Sequence, residues 1–364
     1  MSSSTGGNAT SADRPLRLLS LGKALDLSLW QTLMLCPDGG GVKGLATLIM
    51  LQELFSPLRD GQGNAPLPWQ YFDLIGGTST GGLIAIMLGR LHMSIEDAIE
   101  AYKDLSGTIF AKKWWAGNKI TRLIGGEAKQ YAFSGEPIKQ GVQDVLQKQG
   151  LDSDVALLEL EESSCRTFVS AVNAVTTHAE LLRTYRLNKP GQTHYPCTVW
   201  EAARATSAAP MYFEPIEIGA KIKTTFVDGG LRDNNPVGLV TAEAHRIWPG
   251  RKIGCLVSLG TGVTQPDSLS VTKSRLHEVL TTLASMTTDA HNRHLEFRNS
   301  EEGRGLLNDK KYFRFSPTQG FGQVSMEDFE KADSMVQFAR DYVREHDDAF
   351  EHCMAVLGSL STGM

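Results

Sequence analysis

Leu74-Ile75-Gly76-Gly77-Thr78-Ser79-Thr80-Gly81-Gly82 decides how this chain folds. The apolar run Tyr71-Phe72-Asp73-Leu74-Ile75 leads into it, and a helix-like run from Leu83 to Leu88 leads out. Strand, tight turn and helix form the setting in which G-x-S-x-G exposes a nucleophilic serine on a sharp elbow. Gly77 and Gly81 carry no Cβ, so strand and helix can close on the turn and Ser79 can take a strained conformation. A helix starting at Thr80 directs its free N–H groups back at the serine oxygen, which favours negative charge there. A glycine-rich turn around an ordinary serine spells the same five letters, so two other stretches carry the decision.

The first is Asp38-Gly39-Gly40-Gly41-Val42-Lys43-Gly44, from which a helix leaves: Leu45, Leu48, Ile49, Leu51 and Phe55 recur at helical spacing. Residues 39 to 44 fit G-x-G-x-x-G, a dinucleotide fingerprint, and Asp60 lies near the ribose-binding distance. Asp60 sits in a Gly-Asn loop, however, and Asp38 would set a carboxylate beside a pyrophosphate. An oxyanion hole fits better: the glycine N–H groups of Gly39, Gly40 and Gly41 at a helix start, aimed where a carbonyl oxygen becomes an anion. One such donor is worth roughly 3 kcal/mol of barrier. Lys43 either adds positive charge there or is a solvated helix-start lysine.

The second is Phe226-Val227-Asp228-Gly229-Gly230-Leu231-Arg232-Asp233-Asn234-Asn235-Pro236. Asp228 at a strand end could accept the Ser79 proton, given hydrogen-bond reach; Asp-Gly-Gly is also a common turn. Asp233 is the fallback carboxylate. The histidines after Asp228, namely His245, His277, His291, His294, His346 and His352, all lie outside glycine-rich loops at strand ends. A Ser-Asp dyad is therefore preferred to a Ser-Asp-His triad.

Composition is that of a globular protein: 364 residues, 41% hydrophobic, 21% charged, formal net charge −5. There is no basic excess to suggest nucleic acid. Cys36, Cys165, Cys197, Cys255 and Cys353 are odd in number and lack a C-x-x-C, against a disulfide framework or zinc site and in favour of a reducing compartment. No apolar run is long enough to span a bilayer. Met1 to Asp13 reads as a disordered tail, not a signal peptide.

Elsewhere strands and helices alternate. Strands are expected at Leu16–Leu21, Arg166–Val175, Leu181–Leu187, Thr225–Val227, Lys252–Leu259 and Tyr312–Phe315. Helices are expected at Ser94–Thr108, Gly135–Gln149, Thr198–Ala209, Pro236–Ile247, Val271–Glu296 and Met326–Leu357. This alternation predicts an α/β fold with a largely parallel sheet covered on both faces. The divisions are a disordered tail at 1–15, one domain at 16–320 and a C-terminal helical extension at 321–364.

Together DGGGVKG, GTSTG and DGG, in that order, resemble the patatin-like phospholipase family. Ala203 to Phe213 and Asp233-Asn234-Asn235-Pro236 also look like its signatures. The combination is most similar to the calcium-independent phospholipase A2 branch and covers roughly Arg17 to Phe315. The resemblance implies a three-layer αβα sandwich. It also implies Ser79 as nucleophile, Asp228 as base, Gly39 to Gly41 as oxyanion hole, and Gly44, Gly77, Gly81, Gly229 and Gly230 as motif glycines. No metal and no cofactor are implied, and the sequence lacks a calcium-ligand pattern of EF-hand type.

In the family the apolar strand usually runs directly into DGGG. Leu16–Leu21 would make that join, but residues 22–37 intervene and read as an insertion. Either Leu33-Met34-Leu35 replaces Leu16–Leu21 as the strand, or the segment loops out. The expected substrate is a glycerolipid, phospholipid or lysophospholipid, cleaved at its fatty-acyl ester during transient contact with a membrane surface. The expected location is cytoplasmic, with peripheral membrane association. Trp114-Trp115 among Lys112, Lys113 and Lys119 has the composition of an interface-seeking patch, and equally that of a buried pair with lysines at its rim. Two alternatives stand: an immune or signalling effector domain, and a lipid-binding pseudoenzyme whose oxyanion loop residues 22–37 disturb.

Overall fold

In the computed structural model, which describes residues 31–59, 63, 65–110, 134–160, 165–187, 193–210, 212–262, 289–317 and 329–361, strand β1 (Thr32–Pro37) is buried from end to end. Its side chains alternate between two cores: Leu33 and Leu35 enter the larger, Met34 and Cys36 the smaller. An uninterrupted apolar run with period-two partition is the mark of a strand covered on both faces. The remaining strands are β2 (Leu74–Thr78), β3 (Arg166–Asn173), β4 (Ala179–Arg183), β5 (Ile216–Ile218), β6 (Thr224–Asp228), β7 (Ile253–Leu259) and β8 (Tyr312–Phe315). They form one sheet in the order β5-β6-β3-β2-β1-β7-β8, with β4 also paired to β3. From β3 across to β8 the pairing is parallel; β4, β5 and β6 add an antiparallel end.

The larger core holds α1 (Gly44–Phe55), α2 (Thr80–Ala85), α3 (Ile95–Phe110), α4 (Glu136–Lys148) and α5 (Val199–Thr206). The smaller holds α6 (Val237–Ile247) and the short helix Glu301–Asn308 against Met34, Leu74, Phe168 and Leu256. The result is the three-layer αβα sandwich expected from the alternation. Helices α7 (Ala332–Glu345) and α8 (Asp347–Ser361) pack beside α1, where Arg340 pairs with Glu53 and Phe350 of α8 stacks on Phe315 of β8. Local signals set several boundaries. Ser94 Oγ accepts from Asp97 N at the start of α3, and Thr198 forms a capping box with Glu201 at the start of α5.

The register around β3 determines where the chemistry lies. β2 pairs with residues 166–170 of β3, and β6 with residues 171–173. β4 pairs with residues 168–172, overlapping both, so it occupies the opposite edge. β2 and β6 therefore share one edge of β3 and run toward each other. Thr78, the last residue of β2, lies opposite Ser170; Asp228, the last residue of β6, lies opposite Ala171. Two strand ends meet head-on.

Some expectations need correction. Tyr71-Phe72-Asp73 is not strand: Pro68–Tyr71 forms a helical turn with Pro68 at its first position, and β2 begins at Leu74. Residues 22–37 are not an insertion throughout, because Leu33-Met34-Leu35 forms the central strand that runs into Asp38. The Thr198–Ala209 helix stops at Thr206, and β5 and the Glu301–Asn308 helix were not anticipated. Residues 289–299 are helical; the rest of the expected Val271–Glu296 helix up to residue 288 lies outside the described residues. So do the N-terminal tail, Leu16–Leu21, Asp60, His277 and the Trp114-Trp115 patch.

Candidate active site

Ser79 sits between β2 and α2 with φ 55° and ψ −127°, in the left-handed region that side chains rarely adopt. The surroundings enforce this. A Cβ on Gly77 would overlap the Gly81 carbonyl, and one on Gly81 would overlap the carbonyls of Pro37 and Asp38. The elbow is thus wedged against the end of β1 as well as against its own helix. Ser79 N donates to Thr206 Oγ1 at 2.9 Å, and Thr206 Oγ1 donates to Ser170 O at 2.7 Å.

Across the gap between the two strand ends, Ser79 Oγ donates to Asp228 Oδ2 at 2.8 Å. The other carboxylate oxygen, Oδ1, accepts from Gly230 N at 2.7 Å, which fixes the rotation of the group. Asp228 N donates to Ala208 O at 3.0 Å. The end of α5 therefore holds both residues, through Thr206 on one side and Ala208 on the other. Asp228 is buried, and burial pushes its carboxyl up from the usual range to about 7, against the opposing pull of Gly230 N–H and the Ser79 hydroxyl.

The glycine loop lies beside Ser79. Gly39 N donates to Asn234 O at 3.1 Å, while Gly39 O accepts from Thr261 Oγ1 at 2.8 Å and from Asn234 Nδ2 at 3.3 Å. Gly40 N donates to Thr80 Oγ1 at 3.0 Å. Gly41 has φ 60°, its carbonyl accepts from Tyr102 OH at 2.5 Å, and its N–H meets no acceptor among the described residues. Behind the loop, Asp38 is clamped by both guanidinium nitrogens of Arg314, which also donates to Ser258 Oγ. Burial pushes the Asp38 carboxyl up to about 6, opposed by Arg314.

A slot opens from Ser79, Asp228, Gly40 and Gly41 between α3 and α4. Its walls are apolar: Leu83, Leu105, Ile109, Ile138, Tyr212 and Phe213. Ser207 lines it too, and its hydroxyl has no partner among the described residues.

Of the residues selected from sequence, Ser79, Asp228, Gly40 and Gly41 meet in this slot, while Gly39 braces the loop from outside it. Gly44 opens α1 against Tyr102, and Gly229 packs on Ser170. Asp233 does not reach Ser79; its carbonyl accepts from Thr78 Oγ1 and its carboxylate faces Arg293 at 3.5 Å. Lys43 is buried, not solvated. No histidine among the described residues hydrogen-bonds Ser79 or Asp228: His245 meets Glu302 and His294 meets Tyr312. Thr206 and Asn234 lie in stretches noticed as signatures, but Tyr102, Thr261 and Arg314 carried no local signal.

A family model described as patatin-like phospholipase matches residues 35–241. Calcium-independent phospholipase A2-gamma of Mus musculus is 28% identical over 339 residues, covering 89% of this chain and 40% of its own length. The cGAMP-activated phospholipase of Vibrio cholerae is 30% identical over 258 residues, 68% of each chain. The crystal structure of VipD from Legionella pneumophila superposes with a TM-score of 0.42 at 13% identity, covering 90% of this chain and 67% of that one. This chain spans less than half the length of the mouse relative. The family model alone covers more than half of the 364 residues and both halves of the Ser79–Asp228 pair, and on that ground the chain belongs to the patatin-like phospholipase family.

Proposed function

We propose that this chain is a serine acyl hydrolase that cleaves fatty-acyl esters of phospholipids or lysophospholipids without calcium. The observation that carries the reading is the 2.8 Å bond from Ser79 Oγ to a buried Asp228 at the mouth of an apolar slot. Ser79 Oγ attacks the ester carbonyl as its proton passes to Asp228 Oδ2. A base whose pKa lies near the working pH suits this transfer. The oxyanion of the tetrahedral intermediate accepts from the Gly41 N–H, and from the Gly40 N–H once that donor leaves Thr80 Oγ1. The intermediate collapses as Asp228 returns the proton to the departing alcohol. Water, activated by the same carboxylate, then releases the fatty acid from the acyl-enzyme.

The apolar walls suit an acyl chain, and the names of the relatives point to phospholipid. Among the described residues no helix is long and apolar enough to cross a membrane. The run of β1 straight into the glycine loop and the Ser79–Asp228 bond support this reading over the pseudoenzyme alternative.

The test is fatty-acid release from mixed phospholipid vesicles in excess EDTA, wild type beside Ser79→Ala. Release that needs Ser79 and survives EDTA is the expected outcome. No release from folded wild-type protein, or release abolished by EDTA, would sink the proposal.

A further inference from the structure

β3 runs three residues past the end of β2, and β6 returns along that overhang. The β3–β4 turn, residues 174–178, and the β5–β6 turn, residues 219–223, therefore project beyond the sheet at the end that carries Ser79. Ala174 N donates to Thr225 O at 2.8 Å and holds the two hairpins side by side. From Asp228 back to Thr224 the arm rises about 13 Å at the usual strand repeat.

The tips are apolar and open to solvent: Val175 is 83% exposed and Ile222 85%. Among the described residues four large hydrophobics are exposed, and a third, Leu231 at 42%, follows the Asp228 loop at this same end. The fourth, Leu160, lies at the opposite end, where Glu159 N donates to Thr184 O beside the start of β3. Lys221 and Lys223 flank Ile222. Lys223 pairs with Glu217, whereas Lys221 has no ion-pair partner among the described residues.

We propose that these paired hairpin tips are the surface through which the protein meets a lipid bilayer. Val175 and Ile222 enter the boundary between headgroups and acyl chains, and Lys221 lies among anionic headgroups. The proposal rests on the acyl hydrolase reading, because a lipid ester must reach Ser79 from the end on which the tips stand. Two separate knobs offer far less than the roughly 1,600 Å² of a standard protein interface. Insertion into a fluid interface needs no such area: each apolar side chain contributes as it leaves water, and a nearby cation adds attraction to anionic lipid.

Co-sedimentation with vesicles of equal parts phosphatidylcholine and phosphatidylglycerol tests this, in a Ser79→Ala background so that the lipid stays intact. Val175→Ser/Ile222→Ser should weaken partitioning by about tenfold or more, because two partly inserted aliphatic side chains are lost from the interface. Ile222→Trp should strengthen it, with a blue shift of emission on vesicles. Partitioning of the double variant within about twofold of its parent, or no partitioning of the parent at all, would overturn the proposal. Hydrolysis of a monodisperse short-chain ester by the protein with Ser79 intact is measured separately. Its absence condemns the hydrolase reading, whereas its presence alongside unchanged vesicle binding condemns the hairpin tips alone.

Discussion

Asp228 is a carboxylate held out of water with two hydrogen-bond donors and, among the described residues, no cation in contact, so its proton is bound more tightly than in the open chain. Its folded value of about 7 stands above the 3.8 of an unperturbed aspartate, and this has two consequences of opposite sense. In the proposed mechanism it works as a base only when ionised, so kcat/KM for a soluble ester should rise with pH and level off above about 7, a limb that kinetics over the acid-to-neutral range will check. For stability the sign reverses. Between the two values the folded state holds a proton that the unfolded state has lost. This contribution is therefore complete below the unfolded value and lost as pH rises through about 7. Asp228→Asn should consequently gain in melting temperature relative to wild type as pH rises through that window, while activity falls by about a thousandfold or more. A constant difference in melting temperature would show that the carboxyl is not held as described. At this scale Ser79 and Asp228 were legible because glycines mark them. Their supports were not. Tyr102 is 61 residues from the carbonyl it binds, Thr261 222 from Gly39 and Arg314 276 from Asp38, and no local pattern announces such partners.

Among the elements, the loop after β1 is held from behind by the Asp38–Arg314 pair and from the side by Tyr102 of α3. A buried ion pair is costly to break from one side, by about 3–5 kcal/mol, because the survivor is left charged without a partner. Arg314→Met should therefore destabilise more than Asp38→Asn/Arg314→Met, with urea unfolding midpoints giving the comparison. Thr206 relays the Ser79 N–H to the Ser170 carbonyl, and valine has its shape without its hydroxyl. Thr206→Val should cost about 1–3 kcal/mol of stability by leaving two buried groups unpaired, and should lower kcat more than it changes KM. Unchanged kcat would mean the elbow keeps its conformation without this bond. Most element types could be read from periodicity, since a strand with two buried faces and a helix with a cap leave patterns. The Tyr71-Phe72-Asp73 error has a physical origin: Pro68 starts a helical turn, and Asp73 is polar because its carboxylate accepts from Leu33 N and Arg251.

For the molecule as a whole, deleting residues 22–37 distinguishes an ornamental segment from a structural one. β1 lies between β2 and β7 and feeds both cores, so the deletion should yield no cooperative unfolding transition by circular dichroism. A soluble protein with normal melting would require another strand to occupy that place. The layer order followed from alternation of strands and helices, but the antiparallel end did not, because direction within a sheet is set by how connections cross and not by any residue of the strand itself. That end has a lasting effect. Ser79 and Asp228 are 149 residues apart along the chain, yet both are indexed on neighbouring residues of one strand, Ser170 and Ala171. β3 acts as a gauge block: the spacing of nucleophile and base is measured against it and not through the polypeptide between them. Loops and helices in that interval, apart from α2 and the end of α5 that touch the pair, can lengthen, shorten or be exchanged without moving either group. A lapse in alignment can come only as a slip of register, about 7 Å for a two-residue step, never as a gradual drift. The family's chemistry can thus stay constant while the walls that choose its substrate are rebuilt.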